Sequence, residues 1–266
     1  MELIAKVSKG SKMDQVYLPK NREMFKTGDY VKITPLNEKS LTEKRYEKPF
    51  FYGIKYLEPI KVYVANRIIK IIRNLYDERV NIIIAGSFLD QGFTFNDIDL
   101  LIIGDKKEAL ARIKKEIVRE TGINAHIIQL NKEELKKGVE TDPLYETLLS
   151  KCISEKRLLN KPNRKFNYKI LDLYLLKSKL FGDNFDVLNG NEKYQFLRNL
   201  LAIKLFIENK KVSVESINDE IKKEFKTDIE DIKGNLLDKK DFLQRFNKLY
   251  TQTSNKIMDL AKHDSK

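Results

Sequence analysis

NIIIAGSFLDQGFTFNDIDLLIIG, residues 81–104, holds two apolar runs that flank a Gly-Ser pair and an alternating pair of aspartates. Ile82 to Ala85 form the first run, Gly86 and Ser87 follow, and Asp97 and Asp99 lie inside a second run that continues through Ile103. The pattern predicts strand, turn, strand. At a rise of about 3.3 Å per residue, Asp97 and Asp99 project to one side roughly 6.6 Å apart, while Ile98 and Leu100 face the other way. Carboxylates in an otherwise apolar strand are costly to bury without a metal, hydrogen bonds or protonation to compensate them. A site for Mg²⁺ (or Mn²⁺) accounts for the pair; the competing account is an edge strand whose aspartates face solvent. Gly86 permits close backbone approach, and with Ser87 it offers amide and hydroxyl donors to a phosphate. Phosphate at one end and metal at the other point to a nucleoside triphosphate.

Gly86-Ser87, a gap, then Asp97-Ile98-Asp99, each on its own apolar strand, resembles the nucleotidyltransferase superfamily typified by DNA polymerase β, in particular its small prokaryotic members. The resemblance implies a mixed sheet with helices, NTP and Mg²⁺ as ligands, Asp97 and Asp99 as metal-holding catalytic acids, and Gly86 and Ser87 at the nucleotide phosphates.

The flanks suit that core. Pro59 opens a helix in which Ile60, Val64, Ile68, Ile71, Ile72 and Leu75 recur at three- and four-residue spacing. Lys106 to Thr121 reads as an amphipathic helix with Leu110, Ile113 and Ile117 on one face, ended by Gly122, and Ile123 to Leu130 as a third strand. The resemblance implies a third acid on that strand, taking the proton from the acceptor hydroxyl. This chain has none there. His126, whose imidazole can accept a proton, either takes that role or is a histidine hydrogen-bonded within the sheet. Glu133 and Glu134 follow as surface charges of a further helix.

The 266 residues allow two or three small domains, and 41% hydrophobic with 34% charged residues describes a folded, non-membrane protein. Apolar runs are too short to span a bilayer and MELIAKVSKG lacks a signal-peptide core, so the expected location is cytoplasmic. Cys152, the one cysteine, excludes an internal disulfide framework and is expected to be a small buried residue.

Residues 1–36 read as a small β unit, with strands Leu3 to Val7, Gln15 to Leu18 and Tyr30 to Thr34. VYLPK followed by GDYVKITPL resembles AbrB-like swapped-hairpin domains, which implies a homodimer and DNA contacts through Lys6, Lys9, Lys12, Lys20 and Arg22. The alternative is a β extension packing on the next domain. Residues 37–55 read as a linker whose aromatic end, Phe50, Phe51 and Tyr52, docks on a neighbouring domain. The nucleotidyltransferase core is expected over 56–141 and a helical domain over 142–266, with helices at Pro143 to Leu159, Leu171 to Phe181, Glu192 to Asn209, Val214 to Phe225 and Lys239 to Ala261. The fold class is thus α+β: a small N-terminal β domain, a polymerase β-like core and a C-terminal helical domain.

Net charge is +12, and residues 151–180 carry nine bases against two acids. Lys161, Arg164, Lys165 and Lys169, interleaved with Phe166 and Tyr168, are the combination expected where a phosphate backbone passes aromatic platforms. Two functional readings follow. One is an enzyme transferring NMP from an NTP to an acceptor hydroxyl, with nucleic acid favoured as acceptor. The other is a DNA-binding regulator or antitoxin, with a toxin partner and a degenerate nucleotide site.

Overall fold

The computed structural model describes residues 7–9, 15–16, 49–76, 80–93, 95–104, 110–158 and 163–264. It is an α+β fold: a mixed sheet flanked by helices, and a helical C-terminal region. The chain divides into two compact units, residues 1–133 with 151–159, and residues 134–150 with 160–266.

In the first unit, β1 (Val7–Ser8) pairs antiparallel with β2 (Gln15–Val16), opposing Val7 to Val16 and Ser8 to Gln15. This is the register a hairpin over the expected first two strands requires. The third expected strand, Lys6, Lys12, Lys20 and Arg22, and the surface of any hairpin exchange lie outside the described residues.

The main sheet has the order β3 (Phe50–Tyr52), β7 (Cys152–Ser154), β4 (Asn81–Ala85), β5 (Asp97–Ile103), β6 (Asn124–Leu130). Only β5 and β6 run parallel; the other neighbours are antiparallel. α1 (Pro59–Leu75) and α2 (Leu110–Thr121) contribute Val64, Ile68, Ile72, Ile113 and Ile117 to one core with Ile82, Ile84, Ile98, Leu100 and Ile102 of the sheet. Ile83, Leu101 and Ile103 point to the other face and are buried too, which is why β4 and β5 read as continuous apolar runs rather than as alternating ones. α2 ends where expected, Gly122 taking the left-handed φ of +70° that closes a helix.

Two expectations need correction. Pro143 to Leu159 is not one helix: α4 (Pro143–Ser150) stops, and Cys152, Ile153 and Ser154 become β7, a central strand. Its spacing of Leu144, Leu148, Leu149 and Cys152 suits a helix locally, but β4 has a second edge that needs backbone partners, and the tertiary requirement prevails. Ile83 pairs with Ser154 and Ile84 with Ile153, and Asn81 locks the join by donating to Ser154 Oγ (3.2 Å) and accepting from the Lys156 amide (2.9 Å). The core domain therefore does not end at 141, because a strand from the expected helical domain completes its sheet. Phe50 to Tyr52 is likewise not linker but the edge strand β3 on β7. Phe50 and Phe51 are exposed there, and the Tyr52 hydroxyl accepts from the Leu158 amide at 2.8 Å.

The second unit holds most of α3 (Lys132–Thr141), α4, α5 (Tyr168–Asp183), α6 (Gly190–Ile207), α7 (Val214–Phe225), a short α8 (Ile229–Lys233) that periodicity did not reveal, and α9 (Lys239–Asp264). Leu171, Leu197, Leu201, Phe206, Ile217 and Phe246 are among its core. Ser213 caps α7, accepting from the Ser216 amide at 3.1 Å, and Asp238 accepts from the Asp241 amide at 2.7 Å, as both N-cap positions predict. No helix among the described residues is long and apolar enough to cross a membrane.

Candidate functional site

The antiparallel register of β4 and β5 opposes Ala85 to Asp99, so the chain leaves β4 directly beside the aspartate pair. It leaves through Gly86 at φ +81°, in the left-handed region. A Cβ built there would stand 2.0 Å from Asp99 Oδ2 and 2.9 Å from its Cγ, so only glycine fits between turn and carboxylate. A single 3-10 turn follows, Ser87–Leu89, in which the Leu89 amide donates to Gly86 O (3.1 Å) and the Asp90 amide to Ser87 O (3.0 Å). Phe88 and Leu89 are buried and anchor the turn, while Ser87 is exposed.

Asp97 is exposed and Asp99 half-buried, alternating with buried Ile98 and Leu100 as the strand period demands. On the neighbouring parallel strand β6, His126 is in register with Asp99, and its Nδ1 lies 3.2 Å from Asp99 Oδ1. An ionised carboxylate only accepts, so the ring nitrogen facing it carries the hydrogen; in the neutral imidazole this leaves Nε2 with a free lone pair. The His126 side chain is 59% exposed and that of Asp99 36%, so the pair is open to a ligand. Asp97 is opposed by Asn124, and β6 contributes no carboxylate.

Gly86, Ser87, Asp97, Asp99 and His126 thus converge at one end of β4 and β5. Among the described residues no group of three or more His, Cys, Asp or Glu side chains is arranged to hold a metal. Two carboxylates on one strand face still fit the usual Mg²⁺ arrangement, in which one or two protein carboxylates bind the ion and substrate phosphates and waters fill the octahedron.

The basic stretch is placed differently from the polyanion track its composition suggests. Arg164 donates to both oxygens of Glu146 (2.7 and 2.6 Å) and lies 5.1 Å over the Phe206 ring. Lys165 stands 3.7 Å from Glu140, and Lys151 is 2.5 Å from Asp90. Phe166, Tyr168 and Tyr174 pack against the helical core, and the Tyr174 hydroxyl donates to Asp142. The neutralising acids come from far along the chain, which a count within 151–180 could not register. Lys165, Lys169, Lys177 and Lys179 remain exposed, as does Lys9; Lys12, Arg22 and Lys161 lie outside the described residues. Cys152 is buried, as expected, and burial pushes its thiol up to about 12.

Glu58 and Lys61, on the approach to the turn, escaped the sequence reading. Lys61 is buried and reaches the backbone carbonyl of Asp90, between Ser87 and Asp97. The available signal was its place on the apolar stripe of α1, three and seven residues before Val64 and Ile68. Comparison with protein-family models and with curated protein sequences produced no match to this chain.

Proposed function

We propose that this chain is a Mg²⁺-dependent nucleotidyltransferase of the polymerase β-like type, transferring NMP from an NTP to an acceptor hydroxyl. One observation carries the reading: the Ala85–Asp99 register sets the Gly86-Ser87 turn against an Asp-x-Asp strand so closely that residue 86 has no room for a side chain. A chain that needed only a stable hairpin has no reason to crowd a carboxylate against a left-handed glycine. The order of helix, strand, Gly-Ser, antiparallel strand with two aspartates, helix and parallel strand supports the same reading.

In this reading Asp97 and Asp99 hold the ion, whose charge, when bound, neutralises the triphosphate and polarises the α-phosphorus. Ser87 and the amides of its turn hold the phosphates. His126 Nε2 accepts the proton of the acceptor hydroxyl. That oxygen bonds to the α-phosphorus as the bond to the β-phosphate bridging oxygen breaks, and pyrophosphate leaves. Asp99 keeps the imidazole in the tautomer this requires, through Nδ1. Among the described residues of the basic stretch, the exposed Lys156, Arg157, Lys165, Lys169, Lys177 and Lys179 support a nucleic-acid acceptor, whereas Arg164 is committed to Glu146. The regulator or antitoxin reading is favoured by the histidine where the resembled family carries its third acid and by the AbrB-like start, of which the β1–β2 pairing is described.

Calorimetric titration of ATP, GTP, CTP and UTP with Mg²⁺ into the protein and into an Asp97→Asn, Asp99→Asn double variant tests the reading. Mg²⁺-dependent binding that the variant loses supports it and identifies the base. If none of the four nucleotides binds, the transferase reading fails.

A further inference from the structure

We propose that Glu58 and Lys61, at the start of α1, are positioning residues that clamp the Asp90–Gly92 loop and so fix Ser87 relative to Asp97. The proposal rests on the nucleotide site described above and adds to it the device that holds its two halves in register.

The loop from Asp90 to Asn96 is the only covalent link between the Gly86-Ser87 turn and the aspartate strand, and three side chains seize it near its start. Lys61 Nζ donates to the Asp90 carbonyl. Glu58 Oε1 accepts from the Gly92 amide at 2.7 Å, where Gly92 bends the chain at φ +82°. Lys151, from the turn preceding β7, reaches the Asp90 carboxylate at 2.5 Å. Glu58 and Lys61 also face each other at 3.3 Å, so the two form one unit. Burial alone would raise the Glu58 carboxyl; the donors from Gly92, from its own amide and from Lys61 outweigh this and hold it below the usual glutamate value.

The surroundings of Lys61 argue for a role beyond stability. Its side chain is 1% exposed, and Nζ lies 5.8, 5.2 and 5.5 Å from the centroids of Phe88, Phe93 and Phe95. All three rings belong to the segment between Ser87 and Asp97. A cation among three aromatic faces gains from their quadrupoles, yet taking an ammonium out of water is costly, and buried ion pairs replaced by apolar groups of similar size are often neutral or stabilising. A core serving stability alone would be as well filled by methionine, which packs well on aromatic edges. What methionine cannot do is grip the Asp90 carbonyl and orient the Glu58 carboxylate towards Gly92.

Lys61→Met is therefore the decisive variant, compared with wild type in three measurements on the full chain. Thermal melting is expected to show a lower Tm, because the Glu58 carboxylate loses its facing cation and the Asp90 carbonyl its donor, so the exchange and affinity measurements carry the distinction. Hydrogen exchange is expected to show faster exchange at Asp90 and Gly92, with β4 amides unaffected. Calorimetry with the Mg²⁺–NTP that wild type binds is expected to show affinity lower by about tenfold or more, the scale on which a small displacement of a site is felt. A lower Tm with unaltered affinity would make Lys61 an ordinary core residue and overturn the proposal. So would unchanged exchange at Asp90 and Gly92. A wild type that binds no NTP overturns the nucleotide reading itself, and that failure is visible before any variant is made. Glu58→Gln, which keeps an acceptor oxygen for Gly92 but loses the charge facing Lys61, is expected to fall between wild type and Lys61→Met in affinity; an affinity equal to wild type would remove Glu58 from the clamp.

Discussion

Gly86 and Asp99 share one space: a Cβ on residue 86 would sit 2.0 Å from Asp99 Oδ2. Gly86→Ala therefore meets both a clash with a carboxylate oxygen and a left-handed backbone at φ +81°. The expected loss of stability is on the order of 3 kcal/mol, the sum of overpacking and backbone strain, together with displacement of Asp99. Gly92→Ala is the control. It has a similar φ of +82° but open space around its Cβ, so it should lose only about 1–2 kcal/mol. Chemical denaturation of both variants checks the difference.

Asp97 and His126 are exposed, and little of the fold depends on either side chain. Asp97→Asn and His126→Ala are expected to change stability by less than about 0.5 kcal/mol. Their effects on function should separate. Asp97→Asn removes Mg²⁺-dependent nucleotide binding, whereas His126→Ala retains binding and loses turnover by roughly 10²–10⁴-fold, the usual contribution of a general base. Pyrophosphate release measured beside calorimetry distinguishes them; a His126→Ala variant with full turnover would remove the histidine from the mechanism.

Arg164 is expected to behave as a structural residue. Its side chain and that of Glu146 are 14% and 9% exposed, and the pair is bidentate. Arg164→Gln leaves Glu146 buried without its cation, which costs roughly 3 kcal/mol. Lys169→Gln, on an exposed side chain, should cost under about 0.5 kcal/mol. If nucleic acid is the acceptor, Lys169→Gln should also lower the salt dependence of its binding, the signature of one lost phosphate contact. Denaturation curves and binding isotherms at two salt concentrations check both.

Acid stability of the helical unit should depend on Glu220. Burial alone would raise its carboxyl, but the Lys204 ammonium at 3.2 Å outweighs this and lowers the pKa from its ordinary 4.5. A carboxyl lowered in the folded state binds fewer protons there than in the unfolded chain. Its contribution is therefore complete above about pH 4.5 and is lost as pH falls through the lowered folded value. Glu220→Gln should reduce stability by on the order of 1 kcal/mol at neutral pH and make the profile flatter below pH 4.5. Lys204 keeps Glu224 at 2.6 Å in that variant, which limits the loss. Thermal melts from pH 3 to pH 7 provide the test.

Much of the site was legible because it is local. Alternation along β5 puts Asp97 and Asp99 on one face whatever surrounds them, and the position of Gly86 after an apolar run marks a turn that needs a bare backbone. The helices α1, α2, α5, α6, α7 and α9 announce themselves by apolar spacing, and Ser213 by its cap. His126 was visible as a residue, though not as the register partner of Asp99, because the pairing of β5 with β6 is a relation between strands 27 residues apart.

What the sequence by itself determined is the set of periods, caps and turns: which stretches coil, which extend, and which face each side chain takes within its own element. These depend on neighbours a few residues away. Only the tertiary structure decided that Cys152 to Ser154 leaves the helical run to fill the vacant edge of β4, that Glu146 and Glu140 meet the bases of the cationic stretch, and that Lys61 closes on the Asp90 carbonyl. Each of these joins residues distant in the chain, and the physical reason is common to all three. A backbone edge, a buried cation or a part-buried carbonyl requires a partner of the right chemistry but not of any particular sequence separation, so packing of the whole chain selects which partner arrives.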